Sequence, residues 1–368
     1  MRRERQPLPH DEQVVKAALQ ARIEGVCLQL GFRELPRQGV ITPLNPRRKD
    51  RRPGSFVIWI ARSAGSWKDY ATNEKGDVFG LIQYVERLDR WIDAYWWSLN
   101  FLGWGRHEVR TADQVKQDRE DAERERRAAL AREKADQAAK AARQRAFWLN
   151  ECAPDWSAPS PVWTYLTEAR GLPLERMDHL PGAIRWRPEV EHFDKATGEV
   201  TEWPCMTTAM SGPDGAVTAV HYTWLRPDGS DKAPVEKPKK MRGVAKGAAI
   251  RLSKGETGLT PEEAARRGVT GPLIITEGIE DALTAALARP SDRCWAAGSL
   301  SLLGELAWPK CASSVVLVAD NDWLKPAAIS AFEAVEAKWK AMAEGRPLKV
   351  VRADVGKDLN DWARGATA

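Results

Sequence analysis

Cysteine and histidine are scarce in this 368-residue chain, with five of each. Cys27, Cys152, Cys205, Cys294 and Cys311 are scattered and odd in number, with no paired spacing. That excludes a disulfide framework and a cysteine zinc site, and it suits the reduced thiols of a cytoplasmic protein. No Cys or His falls between Asn45 and Tyr84. Long apolar runs are missing too. The longest are of strand length, short of the roughly 18 residues that suggest a membrane span. The opening Met-Arg-Arg-Glu-Arg-Gln-Pro has no apolar region behind it, so no secretory signal is expected. A Gly-x-x-x-x-Gly-Lys-Ser/Thr motif is also absent, which excludes a P-loop motor in these residues.

What is present describes a soluble chain long enough for two or three domains: 43% of residues are hydrophobic and 29% charged. The net charge of +5 is mild, so its distribution is more informative than its total. Basic residues crowd into 47–52 and 232–246, while carboxylates gather in the last hundred residues. A basic surface leading to an acidic pocket suits an enzyme that processes a polyanion. Ordinary solvated surface charge is the alternative for any one cluster.

The apolar spacing of Val15, Leu19, Ile23, Val26, Cys27 and Leu30 predicts one amphipathic helix over 11–30, stopped at Gly31. Residues 55–61 and 66–71 read as a hairpin, and Gly76-Asp77 opens a helix carrying Val78, Leu81, Ile82 and Val85. Residues 111–146 differ in kind. Half are charged and none is Gly or Pro, which predicts a helical spacer roughly 50 Å long at 1.5 Å per residue. Strands are expected at 205–209 and 217–224, joined by the turn 212–215, then at 249–252 after a basic loop. From Pro272 strands and helices alternate four times, the pattern of a parallel sheet with helices on both faces.

Three acidic clusters punctuate that last region. Glu277 and Asp281 follow the strand 273–276, Asp320 and Asp322 follow 315–319, and Asp358 and Asp361 follow 348–352. Ligands of open α/β sheets bind where strand ends meet helix starts. Carboxylates gathered there repel one another and invite a divalent cation, hence phosphate chemistry. Helix capping explains any one of these acids. It does not readily explain three clusters at successive strand ends.

Glu-Gly-x-x-Asp, then Asp-x-Asp, then Gly-Lys-Asp-x-Asn-Asp resembles the Toprim domain of bacterial-type primases, type IA and II topoisomerases and some nucleases. By that resemblance Glu277 is the general acid/base, with Asp281 beside it in the catalytic set. Asp320, Asp322 and Asp358 belong to the metal site, and the ion is Mg²⁺ or Mn²⁺. The segment from Pro204 to 252, and Tyr165-Leu166 with Arg170-Gly171-Leu172, resemble the part that precedes Toprim in primases of phages, plasmids and integrated elements. Lys232, Lys239, Lys240, Arg242 and Lys246 then line a nucleotide or template path on a mobile basic loop.

The N-terminal region resembles the zinc ribbon of those primases in its strand, strand and helix start, but it lacks the ligands, so no zinc is expected. Packing around Phe56, Ile58, Trp67 and Phe79 is expected in its place. Arg47, Arg48, Arg51 and Arg52 beside Trp59 and Trp67 are candidates for binding single strands by charge and stacking.

The expected architecture is α/β with mixed α+β N-terminal parts: a ribbon-like domain at 1–108, a charged helical linker at 109–147, a basic primase lobe at 148–268 and Toprim at 269–368. The resemblance implies a DNA primase acting on single-stranded DNA and nucleoside triphosphates, with a separately encoded helicase and no membrane association. A Toprim nuclease and a non-catalytic DNA-binding accessory protein are the alternatives.

Overall fold

The computed structural model describes residues 8–34, 39–48, 50, 53–61, 63–104, 112–157, 159–321, 326–352 and 356–365. The chain divides into two compact units, Met1–Gln137 and Ala138–Ala368.

In the first unit, Asp11 caps α1 (Glu12–Ala21) by accepting from the backbone N–H groups of Gln13 and Val14. The single helix expected over 11–30 is in fact two. Arg22 leaves helical geometry (φ −107°, ψ 29°), and α2 (Ile23–Gln29) begins after it. The Arg22 N–H closes back on Leu19 O, a tighter turn that keeps Val15, Leu19, Ile23, Val26 and Cys27 in one buried set. The apolar period therefore survives the break.

Four short strands, β1 (Val40–Ile41), β2 (Phe56–Trp59), β3 (Trp67–Asp69) and β4 (Lys75–Gly76), pair antiparallel in chain order. Asp77 caps α3 (Val78–Glu86), and α4 (Trp91–Leu102) follows. Phe56, Ile58, Trp67 and Phe79 are all buried, as the sequence predicted. The charged segment forms one continuous helix, α5 (Ala112–Asn150).

In the second unit a one-turn helix, α6 (Pro161–Thr164), runs into a π-turn at Tyr165–Ala169. Then come β5 (Ile184–Phe193), β6 (Val200–Ser211), β7 (Val217–Trp224), β8 (Lys239–Gly243), β9 (Ala249–Arg251) and α7 (Pro261–Arg267). The alternation predicted from Pro272 follows: β10 (Gly271–Thr276), α8 (Ile279–Ala288), β11 (Arg293–Ala296), α9 (Leu300–Leu303), β12 (Ala312–Ala319), α10 (Pro326–Ala343), β13 (Leu348–Arg352) and α11 (Leu359–Ala363).

Among the described residues these nine strands make one mixed sheet. The order β13-β12-β10-β11 is parallel. It continues through antiparallel β9 into β6, β7 and β8, with β5 also on β6. The sheet thus crosses the boundary expected at 268/269. Alternation along β10 buries Leu273 and Ile275 against α9 and α10, and Ile274 on the side of α8. Helices therefore cover both faces. The basic segment expected to be a mobile loop is the edge strand β8 over 239–243. No helix among the described residues is long and apolar enough to cross a membrane.

Candidate active site

The first acid cluster sits where β10 ends. Thr276 Oγ1 donates to Gly278 O at 2.6 Å, tying the turn into α8. A Cβ at Gly278 would lie 2.8 Å from Asp281 Oδ2, so this turn needs glycine for the carboxylate to fold back. β10 and β12 are parallel neighbours, with Ile275 opposite Leu317, so Glu277 and Asp320 emerge from the same sheet edge. They share a cavity of about 20 Å³, enough for roughly one water.

Asp358 caps α11, its Oδ1 accepting from the Asp361 N–H at 2.9 Å. Two asparagines fix this loop. Asn321 takes the Lys357 and Gly356 carbonyls with its N–H and Nδ2, at 2.7 and 3.0 Å. Asn360 donates its backbone N–H to Asp281 Oδ1 at 2.9 Å, and its Nδ2 to Arg170 O and Thr284 Oγ1 at 3.0 and 3.2 Å.

The carboxylates sense one another. Burial, then Glu277, Asp281 and Asp358, push Asp320 up to about 7. Burial and then Asp358 push Asp281 up to about 7 against the Asn360 hydrogen bond. Asp322 lies outside the described residues. Among those described, no three His, Cys, Asp or Glu side chains converge closely enough to hold a metal ion. The donor chemistry nevertheless fits a hard divalent cation: crowded carboxylate oxygens, held partly out of water, whose mutual repulsion such an ion would relieve.

A second cluster of opposite sign meets the same helix. Glu280, between Glu277 and Asp281 on the first turn of α8, is 8% exposed. Its Oε1 accepts from Tyr165 OH at 2.7 Å and from Lys239 Nζ at 3.1 Å. Burial opposes its charge, but Lys239 and Lys232 hold its carboxyl well below the usual carboxylate range. Arg170 donates Nε to Tyr165 OH at 2.9 Å and pairs with Asp231 at 3.1 Å. The π-turn, with the Arg170 N–H reaching back to Tyr165 O, delivers both side chains. The turn holding Asp231 packs on α6 so closely that a Cβ at Gly229 (φ 73°) would lie 2.5 Å from Pro161 O. Lys232 is lowered to about 8, first by burial and then by Lys239.

Strand alternation sorts the other basic candidates. Lys239 faces Glu280, while Lys240 and Arg242 project from the opposite face of β8. There Lys240 donates to Phe193 O at 2.7 Å, and its Nζ lies 5.6 Å from the Trp224 ring. Arg242 donates to Glu191 O and lies 5.0 Å over Tyr222. These two close β8 onto β5 and do not face the acids, contrary to the sequence expectation. Lys246 pairs with Glu305 at 3.0 Å.

The N-terminal candidates also turn inward. Arg47 donates to Tyr84 O and Gln83 O. Arg48 pairs with Asp50 and with Asp69, whose side chain is fully buried and also accepts from Asn45 at 2.8 Å. Trp67 is buried against Phe56 and Tyr84, so its ring is not open to a base. Trp59 is half-buried on β2. Arg51 and Arg52 lie outside the described residues. A cavity of about 770 Å³ belongs to the first unit and is lined by none of the site carboxylates.

Sequence reasoning passed over Glu280, Asn360 and Asn321. Each stands beside a motif acid, Asn360 within the Gly-Lys-Asp-x-Asn-Asp motif itself, and only the tertiary partners reveal its part.

Residues 272–368 match the Toprim domain family and form a Toprim domain. Residues 125–252 match a domain of unknown function (DUF7146). No curated protein matches the chain. The primase fragment of the bacteriophage T7 primase-helicase protein aligns over 45% of this chain at 15% identity, with a TM-score of 0.30. This chain spans 60% of that fragment's length. The zinc-binding and RNA polymerase domains of the Aquifex aeolicus primase align over 95% of this chain and 82% of their own, at 13% identity and a TM-score of 0.33. A DNA primase domain from Pseudomonas aeruginosa aligns over 62% and 73%, at 12% identity and a TM-score of 0.36.

Proposed function

We propose that this chain is a DNA primase, a nucleotidyltransferase that joins nucleoside triphosphates into short primers on single-stranded DNA during replication of a phage, plasmid or mobile element. One observation carries the reading: two clusters of opposite charge meet on the first turn of α8. Glu280 faces Lys239 and Lys232, and the next residue, Asp281, faces the Asp358 loop. Nucleotidyl transfer needs both, cations for the phosphates and carboxylates for a divalent ion.

Lys232, Lys239 and Arg170 would hold the triphosphate. Asp320, Asp322 and Asp358 would hold Mg²⁺ or Mn²⁺, which when bound neutralises phosphate charge and activates the attacking oxygen. Glu277 would accept the proton of the primer's 3′-hydroxyl at its carboxylate. The oxygen–phosphorus bond to the α-phosphate forms as the α–β anhydride breaks and pyrophosphate leaves. Asp281, fixed by Asn360, would add to the carboxylate charge that the bound ion neutralises. The chain would act in the cytoplasm beside a separately encoded helicase.

The test is primer synthesis on single-stranded DNA with labelled nucleoside triphosphates and Mg²⁺. Short oligonucleotides are expected, falling at least about 100-fold in Asp320→Ala and Glu277→Gln. No product on many templates, with wild type matching Asp320→Ala, would overturn the reading. Metal-dependent cutting of labelled strands without nucleotides would reassign the site to a nuclease.

A further inference from the structure

Glu280 poses a question that the acidic motif does not answer. A carboxylate this buried is costly unless cations and donors surround it. Here it is met by Lys239 Nζ at 3.1 and 3.3 Å and by Tyr165 OH at 2.7 Å, with Lys232 close enough to help keep it charged. Tyr165 passes the contact on to Arg170 Nε at 2.9 Å, and Arg170 is held from its other side by Asp231. The Lys239 side chain is 36% exposed where that of Glu280 is 10%, so the lysine is reachable from solvent while its anchor is not.

The same helical turn carries Asp281, which Asn360 ties to the Arg170 carbonyl. A closed circuit of side chains therefore sets the spacing between the cations and the metal-site carboxylates. Flexible lysines lose most of their rotamer freedom on gripping a phosphate, and an anchor that orders them beforehand removes that cost from binding.

We propose that Glu280 is a positioning residue that preorganises Lys239 directly, and Arg170 through Tyr165, as the receptor for the triphosphate of the incoming nucleotide. This rests on the nucleotidyltransferase reading and names one subsite within it. Its action through ordering has a definite sign. Removing the negative charge should weaken binding of a polyanion, whereas a bare counter-charge would strengthen binding when removed.

The experiment titrates inorganic tripolyphosphate into the full-length protein without metal, by calorimetry, for wild type, Glu280→Gln and Tyr165→Phe. Glu280→Gln should weaken tripolyphosphate binding about tenfold and Tyr165→Phe about threefold. In primer synthesis the KM for nucleoside triphosphate should rise by similar factors, with kcat changed less than about threefold. Tyr165→Phe keeps every charge and removes one hydroxyl, so it decides the matter if Glu280→Gln fails to fold. Unchanged or tighter binding in either folded variant overturns the proposal, as does a fall in kcat at unchanged KM. If wild type does not bind tripolyphosphate, the proposal falls whatever the polymerase assay gives. Wild type that binds it without making primers would sink primer synthesis and leave the positioning role standing.

Discussion

Lys239 and Lys240 are neighbours in sequence and opposites in the fold. Period-two alternation sends the first towards Glu280 and the second to the back of β8, where it caps Phe193 O beside Trp224. Their substitutions should therefore separate cleanly. Lys240→Ala is expected to cost about 1–2 kcal/mol of unfolding free energy, through one lost hydrogen bond and one cation–π contact, and to leave nucleotide affinity within about twofold. Lys239→Ala should raise the KM for nucleoside triphosphate at least about tenfold, and it should also cost stability because it strips the buried Glu280 of one of its cations. Urea unfolding and primer-synthesis kinetics on the two variants check both halves. A large KM effect from Lys240→Ala would mean that the back face also handles nucleotide.

At the scale of the element, the antiparallel part of the sheet carries a titrating group in its core. His221 on β7 faces Lys239, Lys232, Glu280 and the Thr223 hydroxyl. Burial first, and then Lys239, lower its imidazole to about 4, against 6.5 for free histidine. Between those values the unfolded chain binds a proton that the native protein refuses. The neutral-histidine contribution is thus present above pH 6.5 and lost as the pH falls towards 4. The shift corresponds to roughly 3 kcal/mol. In His221→Gln that loss should vanish, so wild type should lose about that much stability relative to the variant between pH 7 and pH 4, measured by urea unfolding. A difference independent of pH would show that His221 does not titrate there.

This element also marks how far the sequence could be read. The parallel half was legible because buried strands such as 273–276 and 315–319 are apolar runs closed by acids. β8 was not, because Lys-Lys-Met-Arg-Gly has no apolar alternation of its own. It is a strand through its pairing with β7 and through Lys240 and Arg242 reaching β5 carbonyls. Read as a strand, its two faces would have separated Lys239 from Lys240. The break at Arg22 was equally hidden, since the apolar period runs through it. The positions of Glu277, Asp281, Asp320 and Asp358 at strand ends and helix starts were legible from strand and motif spacing. The roles of Glu280 and of the motif's Asn360 were not, because their partners lie 115 and 79 residues away along the chain.

For the whole molecule, each unit has its own interior. One buried cluster runs from Val15 to Trp104, and the others lie wholly between Trp148 and the C-terminal region. A unit that buries its own core should fold by itself, and α5 needs no packing from 112–137 to keep its last turns. Phe147 stacks on Tyr222 at 5.5 Å, Gln144 accepts from Tyr222 OH at 2.7 Å, and Arg185 donates to the Trp148, Leu149 and Cys152 carbonyls at the helix end. A fragment of residues 138–368 is therefore expected to unfold cooperatively, and it carries every described carboxylate of the site. Its crowded Asp281 and Asp320 would be relieved by a divalent cation only in the folded state, so Mg²⁺ should raise its melting temperature. The gain should approach about 2.7 kcal/mol when the ion is at 100 times its Kd. Calorimetric scans with Mg²⁺ and with EDTA should show that rise in the fragment and in the full chain, and lose it in Asp320→Ala. An equal rise in Asp320→Ala would place the ion away from the carboxylates. A fragment that fails to fold would mean that the first unit is required to hold the second together.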